Sequence, residues 1–326
     1  MVNNKNLGLS TKAFILEKFR NGGGRFISGE TLGEDLRISR VAVWKAVRSL
    51  QDAGYSIEGD GRGYRFIETG KDDFLYPWEF GKKEGFFRYW ETTDSTMNRA
   101  RELACRGSPG GTVITAETQT KGRGRNGRRW ISKTGGLFFT LLERPGLPVA
   151  DYTQLTLAVH TALGKAVSLI CGKRALLRWP NDIYTEDKKI AGFLTELSGE
   201  GDRIRWITLG IGININNTPA SAGAANCAEF LGHPVSRREA LLIVLQEIEK
   251  AQKTGDTPGE RQRLWNRNAE GIGRRVVVLD TDWKKTQIIT GGIFRGIDIS
   301  GRCLVQTDSG LKHFYPGTVS LRFKPI

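Results

Sequence analysis

The sequence predicts an α+β chain of several domains: an N-terminal winged helix-turn-helix, a central α/β domain and a small C-terminal SH3-like β-barrel. Three observations lead there. The chain has 326 residues, enough for two or three domains. Apolar residues at helical spacing dominate the first 70 residues, and strand-like and helix-like stretches alternate from about 82 to 270. The remainder, to residue 326, has short strands between Gly and Asp turns. Glycine numbers 41 of 326, nearly twice the usual ~7%.

The N-terminal elements follow in order. Ala13, Ile15, Leu16 and Phe19 recur at helical spacing, and the Asn-Gly-Gly-Gly run from Asn21 stops that helix. Residues 28–36 form a short helix, Arg37 and Ile38 a tight turn, and Ser39 caps the next helix. There Val43, Val47 and Leu50 share one face and are expected in the core, while Arg40, Lys45 and Arg48 point elsewhere. Gly54 ends it, and residues 55–66 read as strand, Gly-rich turn and strand. In such a winged helix-turn-helix the second helix enters the major groove of DNA. Ser39, Arg40, Lys45 and Arg48 are the candidate DNA contacts, with Arg62 at the wing tip. Eleven basic against eight acidic residues in 1–70 is a modest excess, so dimerisation is expected to supply a second half-site.

Residues 71–81 read as a connector, and 82–270 as the central domain. Helices are expected over 95–106, 152–171 and 236–252, the last with a capping box in Ser236-Arg-Arg-Glu239. Strands are expected over 111–117, 136–142 and 206–214. Residues 271–326 are the barrel.

Composition bounds the function. Lys and Arg number 49 against 35 Asp and Glu, a net charge of +14. That excess fits nucleic acid, phosphates or plain solvation. No uncharged apolar run approaches the ~20 residues that span a bilayer. The N-terminal MVNNKNLGLSTK has no apolar core of secretory-signal length. Cys105, Cys171, Cys227 and Cys303 and three scattered histidines match neither a disulfide framework nor a zinc site. The cysteines read as small buried hydrophobes in a reducing, cytoplasmic protein.

Four motifs carry chemistry. Lys121-Gly-Arg-Gly-Arg-Asn-Gly-Arg-Arg-Trp130 holds five cations and no anion. It satisfies G-x-G-x-x-G, yet no helix follows, so a dinucleotide turn is rejected. What remains is a Gly-rich loop whose arginines suit phosphate or carboxylate, expected to be disordered without a ligand because four guanidinium groups repel. Thr93-Asp-Ser-Thr-Met-Asn98 opens a helix, where hydroxyls and free amides can hold a polar head group. Arg178-Trp-Pro-Asn-Asp-Ile-Tyr184 precedes Lys189-Ile-Ala-Gly192, and Gly210-Ile-Gly-Ile-Asn214 follows. Singly, each reads as a cap, a turn or a strand.

Together, in this order, they resemble the biotin protein ligases, also called biotin–[acetyl-CoA-carboxylase] ligases. The signature spans Ser95 to Asn214, and the two flanking domains resemble those of the bifunctional members, which also repress the biotin operon. Asn126 stands where relatives often carry Arg, and Lys133 and Gly136 also depart from the pattern. The resemblance implies a central domain of the biotin/lipoate ligase type, with ATP, biotin and Mg²⁺ as ligands. It implies a biotin carboxyl carrier protein and operator DNA as partners, a homodimer, and no membrane. Carboxylate attack on the α-phosphate would give biotinyl-5′-AMP, and a carrier lysine would then take the biotin.

Residue by residue, the resemblance assigns biotin to Ser95, Thr96, Met97, Gln119, Gly122, Arg123, Gly124, Arg125, Lys189 and Gly192. It assigns ATP to Arg123, Arg125, Arg128, Trp130, Asn181, Lys189 and Asn214. Lys189, Arg123 and Arg125 are the expected catalytic cations, and Asp182 the expected Mg²⁺ partner. Lipoate transfer by a related domain is a rival, which the GRGR loop, the K-x-A-G segment and the winged helix disfavour. A pure DNA-binding sensor of biotin is another.

Overall fold

Serine residues set the helix starts at the N-terminus. The computed structural model describes residues 8–69, 72–280 and 287–323, and the chain divides into two units, Met1–Tyr89 and Trp90–Ile326. Residues 1–7, on which part of the signal-sequence reading rests, lie outside the described residues. In the first unit α1 (Thr11–Asn21), α2 (Gly29–Leu36) and α3 (Arg40–Asp52) follow Ser10, Ser28 and Ser39. Each hydroxyl accepts a backbone N–H, from Ala13, Thr31 and Ala42 respectively. Each cap fills a donor the first turn leaves open, worth about 1 kcal/mol. Between α2 and α3 the chain doubles back tightly. Arg37 takes φ 55°, and Ile38 N–H donates to Gly33 O at 2.9 Å. A Cβ at Gly33 would lie 2.9 Å from Ile38 O, so this approach requires glycine. β1 (Ile57–Asp60) and β2 (Gly63–Phe66) pair antiparallel as the wing. Val43, Val47 and Leu50 are buried with Ile15, Leu16, Phe19 and Leu32.

The connector reading needs correction. Leu75 is buried, and Phe74, Tyr76 and Trp78 pack on the core of the first unit. A 3₁₀ stretch follows over Pro77–Phe86. Within it Glu79 is buried, takes Arg20 at 2.8 Å and accepts the Tyr55 hydroxyl. Four large apolar side chains gain more from burial than a solvated tether allows.

In the second unit a seven-stranded sheet runs in the order β3-β4-β5-β9-β8-β7-β6. The strands are β3 (Phe87–Thr93), β4 (Thr112–Gln119), β5 (Leu137–Glu143), β6 (Leu176–Arg178), β7 (Asp182–Thr185), β8 (Lys188–Glu200) and β9 (Arg203–Ile213). From β4 to β6 every pairing is antiparallel. Helix α4 (Thr96–Cys105) packs on β4, β5 and β9. Helix α5 (Tyr152–Cys171) packs on the sheet and on later helices α7 (Arg237–Lys253) and α8 (Pro258–Arg267); α6 (Cys227–Leu231) is a short link. By length and composition α5 and the turn before it could cross a membrane, but α5 is mostly buried, as a core helix is. Ser236 caps α7, whereas the full reciprocal capping box is at Thr257 and Glu260 of α8.

The C-terminal strands are β10 (Arg275–Asp280), β11 (Ile288–Ile297), β12 (Cys303–Thr307), β13 (Gly310–Phe314) and β14 (Val319–Phe323). They pair antiparallel in the order β13-β12-β11-β10-β14. Among the described residues no ladder joins the two end strands. Irregularities after Val278 and Phe294 bend the strands. Cys171, Cys227 and Cys303 are buried thiols, but Cys105 is exposed, against expectation.

Candidate active site

Glycines make the floor of the site. Gly192 of β8 and Gly212 of β9 are direct cross-strand partners, and Gly210 lies two residues along the same face. The Trp130 indole packs against this bare backbone. A Cβ on Gly212 would sit 2.5 Å from the indole, and one on Gly210 2.6 Å from Met97. The spacing Gly-Ile-Gly therefore seats two side chains that any larger residue would displace.

One cavity collects most of the expected residues. Ser95, Thr96, Met97, Gln119, Arg123, Gly124, Arg125, Arg128, Trp130, Asn181, Asp182, Lys189 and Gly192 line it. Phe193, Leu194 and Ile211 give it an apolar wall, with Arg129, Gly210 and Gly212 beside them. The sequence reading assigns no ligand role to these six, although Arg129 lies in the 121–130 loop and Gly210, Ile211 and Gly212 in the 210–214 strand motif. Gly122 stands just behind, where a Cβ would lie 2.5 Å from Trp130 O. Asn214 is brought elsewhere. It is buried, accepts from Asn217 Nδ2 at 3.0 Å, and is absent from the cavity wall. Its amide serves the turn after β9.

At the mouth of α4 a chain of hydroxyls and amides is fixed. Thr140 Oγ1 donates to Thr96 Oγ1 at 2.8 Å, which donates to Gln119 Oε1 at 3.1 Å. Gln119 Nε2 donates to Ser132 Oγ at 2.9 Å. Ser132 and Thr140 had no sequence signal. Beside them, burial works to raise Asp94, but bonds from Asn98, Arg99, Ser95 N–H and Thr93 outweigh it and hold the carboxyl well below the usual range. Ser95 Oγ and Trp130 Nε1 are buried and find no hydrogen-bond partner among the described residues. Such a donor or acceptor costs about 1–3 kcal/mol, which a ligand atom would recover.

The 121–130 segment is not disordered, as charge repulsion predicted. It folds back as a hairpin, with Gly124 N–H donating to Arg128 O and Trp130 N–H to Gly122 O. The guanidinium groups splay to separate partners. Arg123 reaches Glu196 at 2.8 Å, Arg125 Nη1 donates to Asn181 Oδ1 at 3.4 Å, and Arg129 Nη2 donates to Thr120 O at 2.9 Å. Burial lowers the Arg125 pKa from its usual value. Asn126 holds the tip at φ 53°, ψ 42°, a left-handed conformation Asn tolerates better than Arg.

The turn carrying Asn181 and Asp182 is anchored from several sides. Its Trp179–Pro180 bond is cis, and Trp179 Nε1 donates to Gly301 O of the β11–β12 turn at 3.1 Å. Asn181 Nδ2 donates to Phe193 O at 2.6 Å, so much of that amide already serves the turn. Lys189 Nζ lies 2.7 Å from Asp182 Oδ1. Behind them Trp265 Nε1 donates to His160 Nδ1 at 3.0 Å, and His160 Nε2 meets Asp182 O at 3.1 Å. An indole N–H only donates, so His160 is neutral with its proton on Nε2. Burial lowers its pKa to about 4.

In the first unit Arg40, Lys45 and Arg48 are exposed on α3. The Ser39 hydroxyl is engaged as the cap of that helix. Arg62 is exposed at the wing but pairs with Asp60 at 2.7 Å and lies over the Phe26 ring.

The Biotin/lipoate A/B protein ligase family model matches residues 89–214. An HTH domain matches 11–65, and the Biotin protein ligase C terminal domain matches 271–322. The bifunctional ligase/repressor BirA of Bacillus subtilis is 32% identical, over 94% of this chain and 97% of its own. That of Escherichia coli is 29% identical, over 92% and 94%. Among solved structures, the biotin protein ligase from Aquifex aeolicus in complex with biotin and ATP has a TM-score of 0.61. It is 31% identical and covers 73% of this chain and 99% of its own.

Proposed function

The chain belongs to the bifunctional biotin protein ligases, and from that premise we propose how its cavity makes and uses biotinyl-5′-AMP. It is a biotin–[acetyl-CoA-carboxylase] ligase with a helix-turn-helix repressor domain. The observation that carries the reading is the convergence of Arg123 and Arg125, from one loop, and Lys189, from β8, on one cavity with an apolar wall.

The reaction must bring two anions together. Biotin lies with its ring system against Phe193, Leu194 and Ile211, its polar head meeting Ser95, Thr96 and Gln119. ATP lies toward Trp130, Arg128 and Asn181. Lys189 and Arg125 stand where carboxylate and α-phosphate oxygens meet, and Arg123 exchanges Glu196 for the ligand. A carboxylate oxygen attacks the α-phosphorus, the bond to the β-phosphate oxygen breaks, and pyrophosphate leaves. A carrier lysine amine then attacks the acyl carbon, and AMP leaves. No enzyme nucleophile is required; positioning and preorganised positive charge do the work.

Mg²⁺ fits in a limited way. Among the described residues no three His, Cys, Asp or Glu side chains form a metal cage. Asp182 is one carboxylate on the cavity wall, with Lys189 at one oxygen. Mg²⁺ commonly takes one or two carboxylates and completes its shell with phosphates and water. Asp182 would hold it, and the ion would neutralise phosphate charge.

The regulatory half rests on the helix-turn-helix. We infer that the adenylate, bound against the folded 121–130 segment, favours a homodimer and so places two α3 helices on operator DNA when the carrier is saturated. ATP and carrier protein put this activity in the cytoplasm. Pyrophosphate release tests the reaction. It should require both biotin and ATP, should fail with lipoate, and should be followed by label on an apo-carrier lysine. No release, or equal release with lipoate, overturns it. Gel shifts with and without biotinyl-AMP test the repressor; equal shifts overturn that half.

A further inference from the structure

The exposed face of α3 carries more than charge. At ~100° per residue, Val41, Trp44, Lys45 and Arg48 fall within about 100° of arc, turned away from buried Val43, Val47 and Leu50. Val41 is 61% exposed and Trp44 51%. Single exposed apolar residues are ordinary on a protein surface. These two are one turn apart and bordered by Arg40, Lys45 and Arg48, with Asp52 the acidic residue at the far end of the helix. No ion pair among the described residues holds those three cations, whereas Arg62 and Arg65 of the wing pair with Asp60 and Glu58.

A basic border around an apolar centre fits one partner chemistry. The border selects a polyanion, and the centre selects an apolar group lying between two rows of phosphates. In the major groove of duplex DNA that group is the thymine C5-methyl. Phosphate contacts position a protein, and contacts in the groove specify sequence. Resting on the DNA-binding reading above, we propose that Val41 and Trp44 read thymine methyl groups, while Arg40, Lys45 and Arg48 hold the flanking phosphates. Charge and helical face pick out the cations in the sequence; the two apolar readers emerge from exposure.

The test uses the full chain with biotin and ATP. Duplexes are selected from a random pool, and the enriched duplex is remade with deoxyuridine in place of each thymidine in turn. This change deletes only the methyl. One or two replacements should lower wild-type affinity on the order of fivefold. Trp44→Ala or Val41→Ala should bind the unmodified duplex weaker by a similar factor and ignore the same deoxyuridine. Lys45→Ala should weaken all duplexes alike and keep the methyl sensitivity. Melting curves should show all three variants folded, because the side chains removed are exposed. If no deoxyuridine changes wild-type affinity, or both apolar variants keep full methyl sensitivity, the proposal falls and the DNA reading stands. If the apolar variants lose dimerisation but bind methyls normally, the patch is a protein interface and the proposal falls. If no duplex is enriched at all, the DNA reading itself falls, and this proposal with it.

Discussion

In the cavity, Lys189 lies 2.7 Å from Asp182, Arg123 lies 2.8 Å from Glu196, and half-buried Arg125 donates to Asn181. On α3, Arg40, Lys45 and Arg48 stand in water, and no ion pair among the described residues engages them. On the proposed function both regions gather cations for phosphate, and they prepare them differently. The cavity supplies counter-charges in advance, so its cations are aimed before a ligand arrives. The helix leaves that role to dissolved ions, which DNA would release. The first arrangement favours shape and chemistry; the second favours reach and salt dependence.

Salt is the strongest lever on this difference. Two protomers that each neutralise about three phosphates give roughly six, and a fourfold rise in salt then weakens DNA binding about 10³-fold. Pyrophosphate release should change far less, because the pairs in the cavity are partly screened from solvent. Filter binding and a pyrophosphate assay across one salt series would check both. A shallow DNA slope would mean that the α3 cations do not meet phosphate.

Lys189→Ala breaks the other side. Losing one preorganised donor costs about 10²–10³ in rate, so single-turnover adenylation should fall by that factor. DNA binding should persist at saturating biotinyl-AMP, with more adenylate needed to reach it because Lys189 also meets the adenylate. Full adenylation by the variant would remove Lys189 from the chemistry.

The two regions were legible to different degrees. Helix starts at Ser28 and Ser39 could be read because capping is local, and the face of Val43, Val47 and Leu50 because periodicity is local. The cavity motifs could be read because their order is specific. What stayed hidden depends on distant partners. Glu196 neutralises Arg123 across 73 residues, and no spacing rule predicts that. Thr140, Ser132 and the glycine floor matter only once the strands are in register. Asn214, expected on the nucleotide, is held in this structure by the neighbouring Asn217. The connector failed because composition cannot say that its aromatic residues will find the core of the first unit.

The buried relay behind Asp182 gives a pH signature for the cavity side alone. His160 is neutral when folded, with a pKa lowered to about 4 by burial, against 6.5 for an ordinary imidazole. The unfolded chain therefore binds more protons between those values. Stability from this group is complete above pH 6.5 and is lost as pH falls toward 4, about 3 kcal/mol in all. The second unit should melt earlier in that window, and His160→Gln should flatten the slope. The variant should also raise the KM for ATP more than it lowers kcat, because His160 positions the Asp182 turn without touching the reacting atoms. An unchanged slope would show that another group dominates acid unfolding.

The smallest effect falls on the first unit, at Ser39. The sequence offers this residue as a DNA contact, while its hydroxyl accepts Ala42 N–H at 3.2 Å as a helix cap. Ser39→Ala should cost about 1 kcal/mol of stability in this unit, and Ser39→Asn almost nothing, because Asn caps as well as Ser. Denaturation followed by fluorescence would separate them. If capping is the whole role, Ser39→Asn keeps wild-type DNA affinity, and Ser39→Ala loses only what its unfolded fraction explains. If Ser39→Asn is stable yet binds DNA weakly, the hydroxyl meets the nucleic acid as well. The polar edge of α3 would then act through contact as well as charge, and the contrast with the prearranged cavity would narrow at that one position.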